Sequence, residues 1–170
     1  MALVHPKDII TNLDDDCIQP NAVDLRVRRI WKLKPTTFLI SDTEKLHREK
    51  EIVKPILSTS FRRYNTEDGG ISSDAVKEYY RLEPGAYEFA TQHDIVVPEG
   101  KAGWIVPRST LNRNGVYITS GLYDSGFNNN IGGVLHVTTH TAYIGVNTRI
   151  GQFILADAET VALYDGDYNA

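Results

Sequence analysis

One cysteine in 170 residues excludes a good deal of chemistry. A lone Cys17 cannot form a disulfide framework within one chain, cannot supply a Cys-x-x-Cys zinc site, and fits a reducing compartment as a small buried side chain. Zinc-type base deaminases are excluded on the same ground, because their second metal motif needs a cysteine pair. An excess of positive charge is also missing: 18 Lys and Arg stand against 22 Asp and Glu, for a formal net charge of -4. No global basic field of the kind that drives duplex binding exists, so nucleic acid is not an expected partner and any anion site must be local. Long apolar runs are absent as well, and the opening Met1-Ala2-Leu3-Val4-His5-Pro6-Lys7 turns polar too early for a signal peptide. A soluble, cytoplasmic chain with no membrane partner is the expectation. Also lacking are HExxH, an EF-hand loop, a Walker A loop, GxGxxG, internal repeats and low-complexity tracts.

What remains is a chain of ordinary size, read as a single domain over 1–170 with enough length to bury a core. Ile9, Ile10 and Leu13 between Pro6 and the acidic Asp14-Asp15-Asp16 have helical spacing and predict a short N-terminal helix. Val23, Leu25 and Val27 alternate with Asp24 and Arg26, which predicts a strand, extended through Trp31 and Leu33, with the charged pair on the face away from the core. An insertion-like excursion at about 41–80 follows, in which Asp42 to Glu51 reads as a solvated helix or loop and Asn65 to Asp74 as turn chemistry. From Tyr80 onward, short β-rich segments separated by Glu83-Pro84-Gly85, Val97-Pro98-Glu99-Gly100, Asn114-Gly115, Asn128-Asn129-Asn130 and Gly132-Gly133 argue for an all-β sandwich or barrel with minor helices.

Two stretches carry chemistry. Arg108, Ser109, Thr110 and Arg113 fall within six residues and combine two planar guanidinium forks with two hydroxyls, the donor set that a polyphosphate requires. If Arg108 ends a strand and Leu111 begins a helical turn, free backbone amides add to it; the same residues also read as a capped surface helix with solvated arginines. Asp124 lies between Gly121 and Gly126. It is either a hydrogen-bonding turn residue or a base that orients and deprotonates a water. Phe127 packs on a sugar or fills core. His136 and His140 stand on a β-branched stretch expected to be one strand, about 13 Å apart at roughly 3.3 Å per residue, too far to share an ion.

Taken together and in order, these motifs resemble the superfamily of trimeric dUTP diphosphatases and zinc-free dCTP deaminases. Ile18-Gln19-Pro20-Asn21-Ala22-Val23-Asp24-Leu25-Arg26 is similar to its first motif. Arg108-Ser109-Thr110-Leu111-Asn112-Arg113-Asn114-Gly115 resembles the deaminase form of the second, Gly121 to Phe127 the third, and Arg149-Ile150-Gly151-Gln152 the fourth. The resemblance implies a distorted β jelly-roll, or β-clip barrel, that forms a homotrimer with interfacial sites. It also implies a deoxypyrimidine nucleoside triphosphate as ligand, with Mg2+ carried on the phosphates and no direct protein ligand to the metal. It assigns Arg108, Ser109, Thr110, Arg113 and Gln152 to phosphates and Asp124 to the attacking water. Ile118, Thr119, Gly121 and Phe127 are assigned to sugar and base, the hairpin reading the base largely through its backbone.

Two departures shape the expected reaction. The deaminases have a glutamate on the strand after the third motif, whereas here Ile131-Gly132-Gly133-Val134-Leu135-His136-Val137 contains no acid. An ungapped alignment puts Val134 at that position, and extra residues in the Asn128-Asn129-Asn130 turn would put His136 there as a proton relay. Secondly, the ending Leu163-Tyr164-Asp165-Gly166-Asp167-Tyr168-Asn169-Ala170 resembles the start of a deaminase lid that then breaks off, which implies closure by another element such as the excursion, or slow turnover. The expected function is Mg2+-dependent hydrolysis of dUTP to dUMP and pyrophosphate. A dCTP deaminase, alone or bifunctional, and a nucleotide-binding homologue without turnover remain as alternatives.

Overall fold

Alternation builds the sheet. The computed structural model describes residues 1–57 and 78–170. In chain order the strands are β1 (Leu3–Val4), β2 (Val23–Leu33), β3 (Leu39–Ile40), β4 (Lys45–Leu46), β5 (Lys50–Ile52), β6 (Ile56–Leu57), β7 (Glu78–Leu82), β8 (Gly85–Val96), β9 (Lys101–Pro107), β10 (Val116–Thr119), β11 (Asn128–Val137), β12 (Ala142–Gly145) and β13 (Arg149–Asp157), with helix α1 (Ser109–Arg113) between β9 and β10. Along β8 the side chains of Tyr87, Phe89, Thr91, His93 and Ile95 are buried, while Glu88, Ala90 and Gln92 take the other face.

One eight-stranded sheet runs β1-β13-β2-β8-β11-β10, with β5 added on β2 and β9 on β13, every pair antiparallel. Two small sheets, β12-β7-β6 and β3-β4, complete it among the described residues. The large sheet curls because β2 changes partner along its length: Val23 to Arg26 pair with β13, and Val27 to Lys32 with β8. Register breaks at Val27/Arg29, Arg149/Gly151 and Asn130/Gly132 bend it further. At the last of these, Asn130 Nδ2 donates to the carbonyls of Thr91 and His93, both at 3.0 Å, so the irregular backbone keeps its partners. Leu25, Ile30, Phe89, Ile95, Ile131, Leu135, Ile150 and Phe153 fill the interior. This is the all-β, distorted jelly-roll class expected from the sequence, with α1 as its α-helix among the described residues.

Three local expectations fail. Between Pro6 and Leu13 only Pro6–Asp8 form a helical turn, of 3-10 type. Ile10 leaves the helical path to bridge Ile95, Thr11 N donates to the Asp94 carbonyl at 3.0 Å, and Asn12 takes a positive φ of 55°. Eight residues make a weak helix nucleus, and sheet contacts override it. Asp42 to Glu51 is not helical either: β3 and β4 form a hairpin whose turn is held by Ser41 Oγ accepting from the amides of Thr43 and Glu44, and β5 docks on β2. Its exposure is as expected. Thirdly, β11 ends at Val137, so His136 and the exposed His140 do not share a strand. The turn chemistry assigned to Asn65 to Asp74 lies outside the described residues. Cys17 is fully buried, and burial pushes its thiol pKa up.

Candidate functional site

Three strands meet where β9 runs into α1. In the ladders, Gln152 stands opposite Asp24 on one side and Val106 on the other. Asp24 lies on the face away from the core side of β2, as alternation predicts, yet it is 1% exposed. Its Oδ1 accepts from Gln152 Nε2 at 3.0 Å. The other oxygen, Oδ2, has no hydrogen bond but sits 3.5 Å from Arg108 Nε and 3.4 Å from Arg149 Nη1. A buried carboxylate thus holds two guanidinium groups at the start of α1, where Arg108 is the N-cap residue. Ser109 and Thr110 are exposed in the first turn and Arg113 is exposed in the last. The first amides of a helix lack intrahelical partners, so they face the same region as the hydroxyls.

Beside this cluster, Arg26 pairs with Asp14 at 3.1 Å and Asp16 at 2.6 Å, and donates to the Asn147 carbonyl at 2.8 Å. The hydrogen bond from Arg26 holds the Asp16 carboxyl below the usual carboxylate range. Asp14, Asp16 and Cys17 are the one group of metal-type donors among the described residues whose ligand atoms converge, within 4.8 Å. Neither His136 nor His140 belongs to it.

Asp124 lies elsewhere. Tyr123 and Gly103 exchange both backbone hydrogen bonds, at 2.9 and 2.8 Å, which fixes the third motif against the beginning of β9. Arg108 follows the other end of that strand. Gly103 and Pro107 are four residue steps apart, a distance of about 13 Å at roughly 3.3 Å per residue. The Asp124 carbonyl accepts from Phe127 N at 3.0 Å, so the residue does form a turn, while its carboxylate is exposed at a 270 Å³ cleft shared with Leu122, Ser125, Thr160 and Tyr164.

A larger cavity of 880 Å³ shares Leu122 and Tyr164 with this cleft. Gly121, Leu122, Tyr123, Phe127, Gly133 and Val134 line one wall, and Phe38 together with His47, Arg48 and Lys50 from the excursion line another. Phe127 is 7% exposed and meets Tyr123 edge-on at 4.9 Å and Tyr164 at 5.6 Å, so it is core and cavity wall at once. Ile118 is buried and turns its side chain inward, whereas Thr119 is exposed and bonds His136 Nε2 at 2.8 Å. The His136 ring stacks on Tyr117 at 4.8 Å. Below the loop, Tyr123 Oη donates to the Gly132 carbonyl at 2.5 Å and accepts from its amide at 2.9 Å, and burial pushes that phenol up to about 12. A Cβ on Gly133 would stand 2.6 Å from the Thr119 carbonyl, so β10 and β11 approach this closely only over a glycine.

The residues read from the sequence therefore fall into two groups. Arg108, Ser109, Thr110, Arg113 and Gln152 gather at one end of β9; Asp124, Phe127, Gly121 and Thr119 gather towards the other. Sequence reasoning missed Asp24 and Arg149 as site residues. Their signal was present in the first and fourth motifs, but period-two alternation marks a face without telling what covers it.

A family model described as dCTP deaminase-like matches residues 2–158. A relative in Methanopyrus kandleri named probable deoxyuridine 5'-triphosphate nucleotidohydrolase is 32% identical over 165 residues, covering 95% of this chain and 94% of that protein. The dUMP-forming dCTP deaminase of a Sulfurihydrogenibium species is 29% identical over 124 residues, 72% of this chain and 59% of that one. Among solved structures, a 2'-deoxycytidine 5'-triphosphate deaminase from Agrobacterium tumefaciens superposes with a TM-score of 0.61 at 14% identity, over 89% of this chain and 44% of that chain. The curled sheet, the ordered motifs and a match over nearly the whole length agree: the chain belongs to the dCTP deaminase-like family, within the dUTPase and dCTP deaminase superfamily.

Proposed function

We propose that the chain hydrolyses dUTP to dUMP and pyrophosphate, with Mg2+ carried on the triphosphate. The observation that supports this most is the cluster of Arg108 and Arg149 around buried Asp24, beside Gln152 and the first turn of α1. Arginines fixed in this way present preset forks to phosphate oxygens. Ser109, Thr110 and Arg113 add donors, and Gln152 orders Asp24 while keeping its remaining amide hydrogen for the ligand. Asp24 Oδ2 faces Arg108 and Arg149, and the neighbouring Asp14 and Asp16 pair with Arg26, so the carboxylates at this end are engaged by guanidinium groups. That fits a metal held by phosphate oxygens and water, where it reduces the charge repulsion against an incoming nucleophile.

In this reading Asp124 orients the attacking water. A general base acts within hydrogen-bond reach of its target, directly or through one water, and Asp124 stands towards the opposite end of β9 from the arginine cluster. The resemblance implies a closed homotrimer with three interfacial sites, in which the phosphate end of one copy works with the Asp124 end of another. Phe127, Gly121 and the backbone of Ile118 and Thr119 form the sugar and base end. Residues 1–170 act as one domain, since Leu3 and Asp157 lie at the ends of strands in one sheet.

The test is pyrophosphate release from each deoxynucleoside triphosphate with Mg2+, products separated by chromatography. Asp124→Asn is expected to bind dUTP and release no pyrophosphate; turnover at the parent rate would refute the role. Mixing Asp124→Asn with Arg108→Ala is expected to restore partial activity, because a mixed assembly contains some interfaces with both halves intact. A second reading, deamination of dCTP with His136 as proton relay, draws on the contact between His136 and Thr119. Ammonia release from dCTP would support it, and none between pH 6 and 9 would remove it. Among the described residues no helix is long and apolar enough to cross a membrane.

A further inference from the structure

The large cavity contains a charged pair that the hydrolytic reading does not use. Glu88 on β8 stands directly opposite Val134 on β11, and Val134 stands directly opposite Thr119 on β10. These three residues form one row across three adjacent strands, with side chains on one face and about 5 Å per step. Glu88 Oε1 accepts from Lys50 Nζ at 2.7 Å. The ammonium also sits 5.0 Å over the ring of Trp31, the residue opposite Glu88 on β2. Glu88 and Lys50 both line the 880 Å³ cavity, which Gly121, Leu122 and Val134 line as well.

We propose that Glu88, positioned by Lys50, reads the hydrogen-bonding edge of the pyrimidine and sets which bases the site admits; this rests on the nucleotide reading above. An ionised carboxylate is acceptor only, and an ammonium is donor only. Side by side they complement a ring edge that presents a donor next to an acceptor. Uracil offers N3–H beside O4, and cytosine offers its 4-amino group beside N3. Both edges satisfy the pair with a small shift of the ring, so dUTP and dCTP enter the same pocket. Lys50 belongs to the excursion, so the excursion shapes the base end of the site from within the same chain. A surface ion pair that merely fastened β5 against β8 would leave nucleotide affinity untouched.

The experiment is steady-state pyrophosphate release from dUTP with dCTP as competitor, on the parent, Glu88→Ala and Lys50→Met. The parent is expected to show competition by dCTP with an inhibition constant within about tenfold of the KM for dUTP. In Glu88→Ala both constants rise about tenfold or more, as for loss of a hydrogen bond to a charged group, while kcat changes less than about twofold. Lys50→Met moves them the same way by less. Circular dichroism and melting temperature confirm that the variants fold. A Glu88→Ala variant with the parent's KM, or a parent blind to dCTP at a hundredfold the KM, overturns the proposal. If the parent releases no pyrophosphate from dUTP, the hydrolytic reading fails instead. Equilibrium binding of dUTP and dCTP to the parent and Glu88→Ala then decides, equal affinities of the two proteins overturning the role of Glu88.

Discussion

Arg108 Nε lies 3.5 Å from Oδ2 of Asp24, a carboxylate buried to 1% exposure. The Arg108 side chain is 37% exposed, so one partner is fixed in protein while the other remains open to a ligand. This asymmetry suits phosphate binding: the buried charge sets the orientation, and the exposed fork keeps free donors.

Asp24→Asn keeps the shape and one acceptor for Gln152 but removes the charge that holds Arg108 and Arg149. Activity is expected to fall through KM more than kcat, with kcat/KM reduced about 10- to 100-fold, the range for a charge-assisted hydrogen bond of about 1.5–3 kcal/mol. A phosphate or pyrophosphate titration of the variant checks it directly; unchanged affinity would detach Asp24 from the site.

His93 gives a pH dependence. Its ring is buried, Nε2 accepts from the Arg26 amide at 3.0 Å, and Nδ1 bonds the Thr11 carbonyl at 3.0 Å. That arrangement needs the neutral ring with its proton on Nδ1, and burial lowers its pKa below 6.5. With the folded pKa depressed, the unfolded chain takes up a proton first. The stabilisation is complete above about pH 6.5 and is lost as pH falls through the folded value, at up to about 1.4 kcal/mol per pH unit. Urea unfolding of parent and His93→Gln from pH 4.5 to 8 should show a stability gap that is widest at high pH and narrows below 6.5. A gap constant with pH would sink the argument.

Tyr123→Phe strips both hydrogen bonds from Gly132 without changing volume. A buried donor and acceptor lose their partner, so a stability loss of about 1–3 kcal/mol is expected in denaturant titration. The parent phenol, pushed up to about 12, should be silent in absorbance titrations below about pH 11.

Gly133→Ala places a methyl 2.6 Å from the Thr119 carbonyl. Backbone must move, at a cost of about 1–3 kcal/mol, and β10 separates from β11. Weakened nucleotide binding should accompany the lower melting temperature. Full affinity in a folded variant would show that the Thr119 hairpin is not part of the site.

How much of this was legible in the sequence differs by residue. The strand from Val23 to Leu33 was readable because its alternation is long and clean, and α1 because Arg108 ends a β run just before a short run of helix-compatible residues. Ile9, Ile10 and Leu13 misled, since helical spacing over so few residues is overridden when Ile10 can bridge Ile95, which no local window contains. Asp24 was placed on the correct face, but the arginines that enclose it come from Arg108 and Arg149, distant in sequence. Glu88 gave no local sign at all: its importance comes from a register that places Lys50, Trp31, Val134 and Thr119 around it.

The partner change along β2 bears on how the molecule comes apart. One strand is stitched to β13 in its first third and to β8 in the remainder, and the same strand supplies Asp24. Releasing it opens both halves of the sheet and scatters the arginines together, so partial unfolding has no stage at which the sheet survives and the anion cluster is gone. Trp31 on β2 and Trp104 on β9 report on the two sides of that seam. The change in their fluorescence and the loss of pyrophosphate binding should fall in one shared transition, at one denaturant concentration.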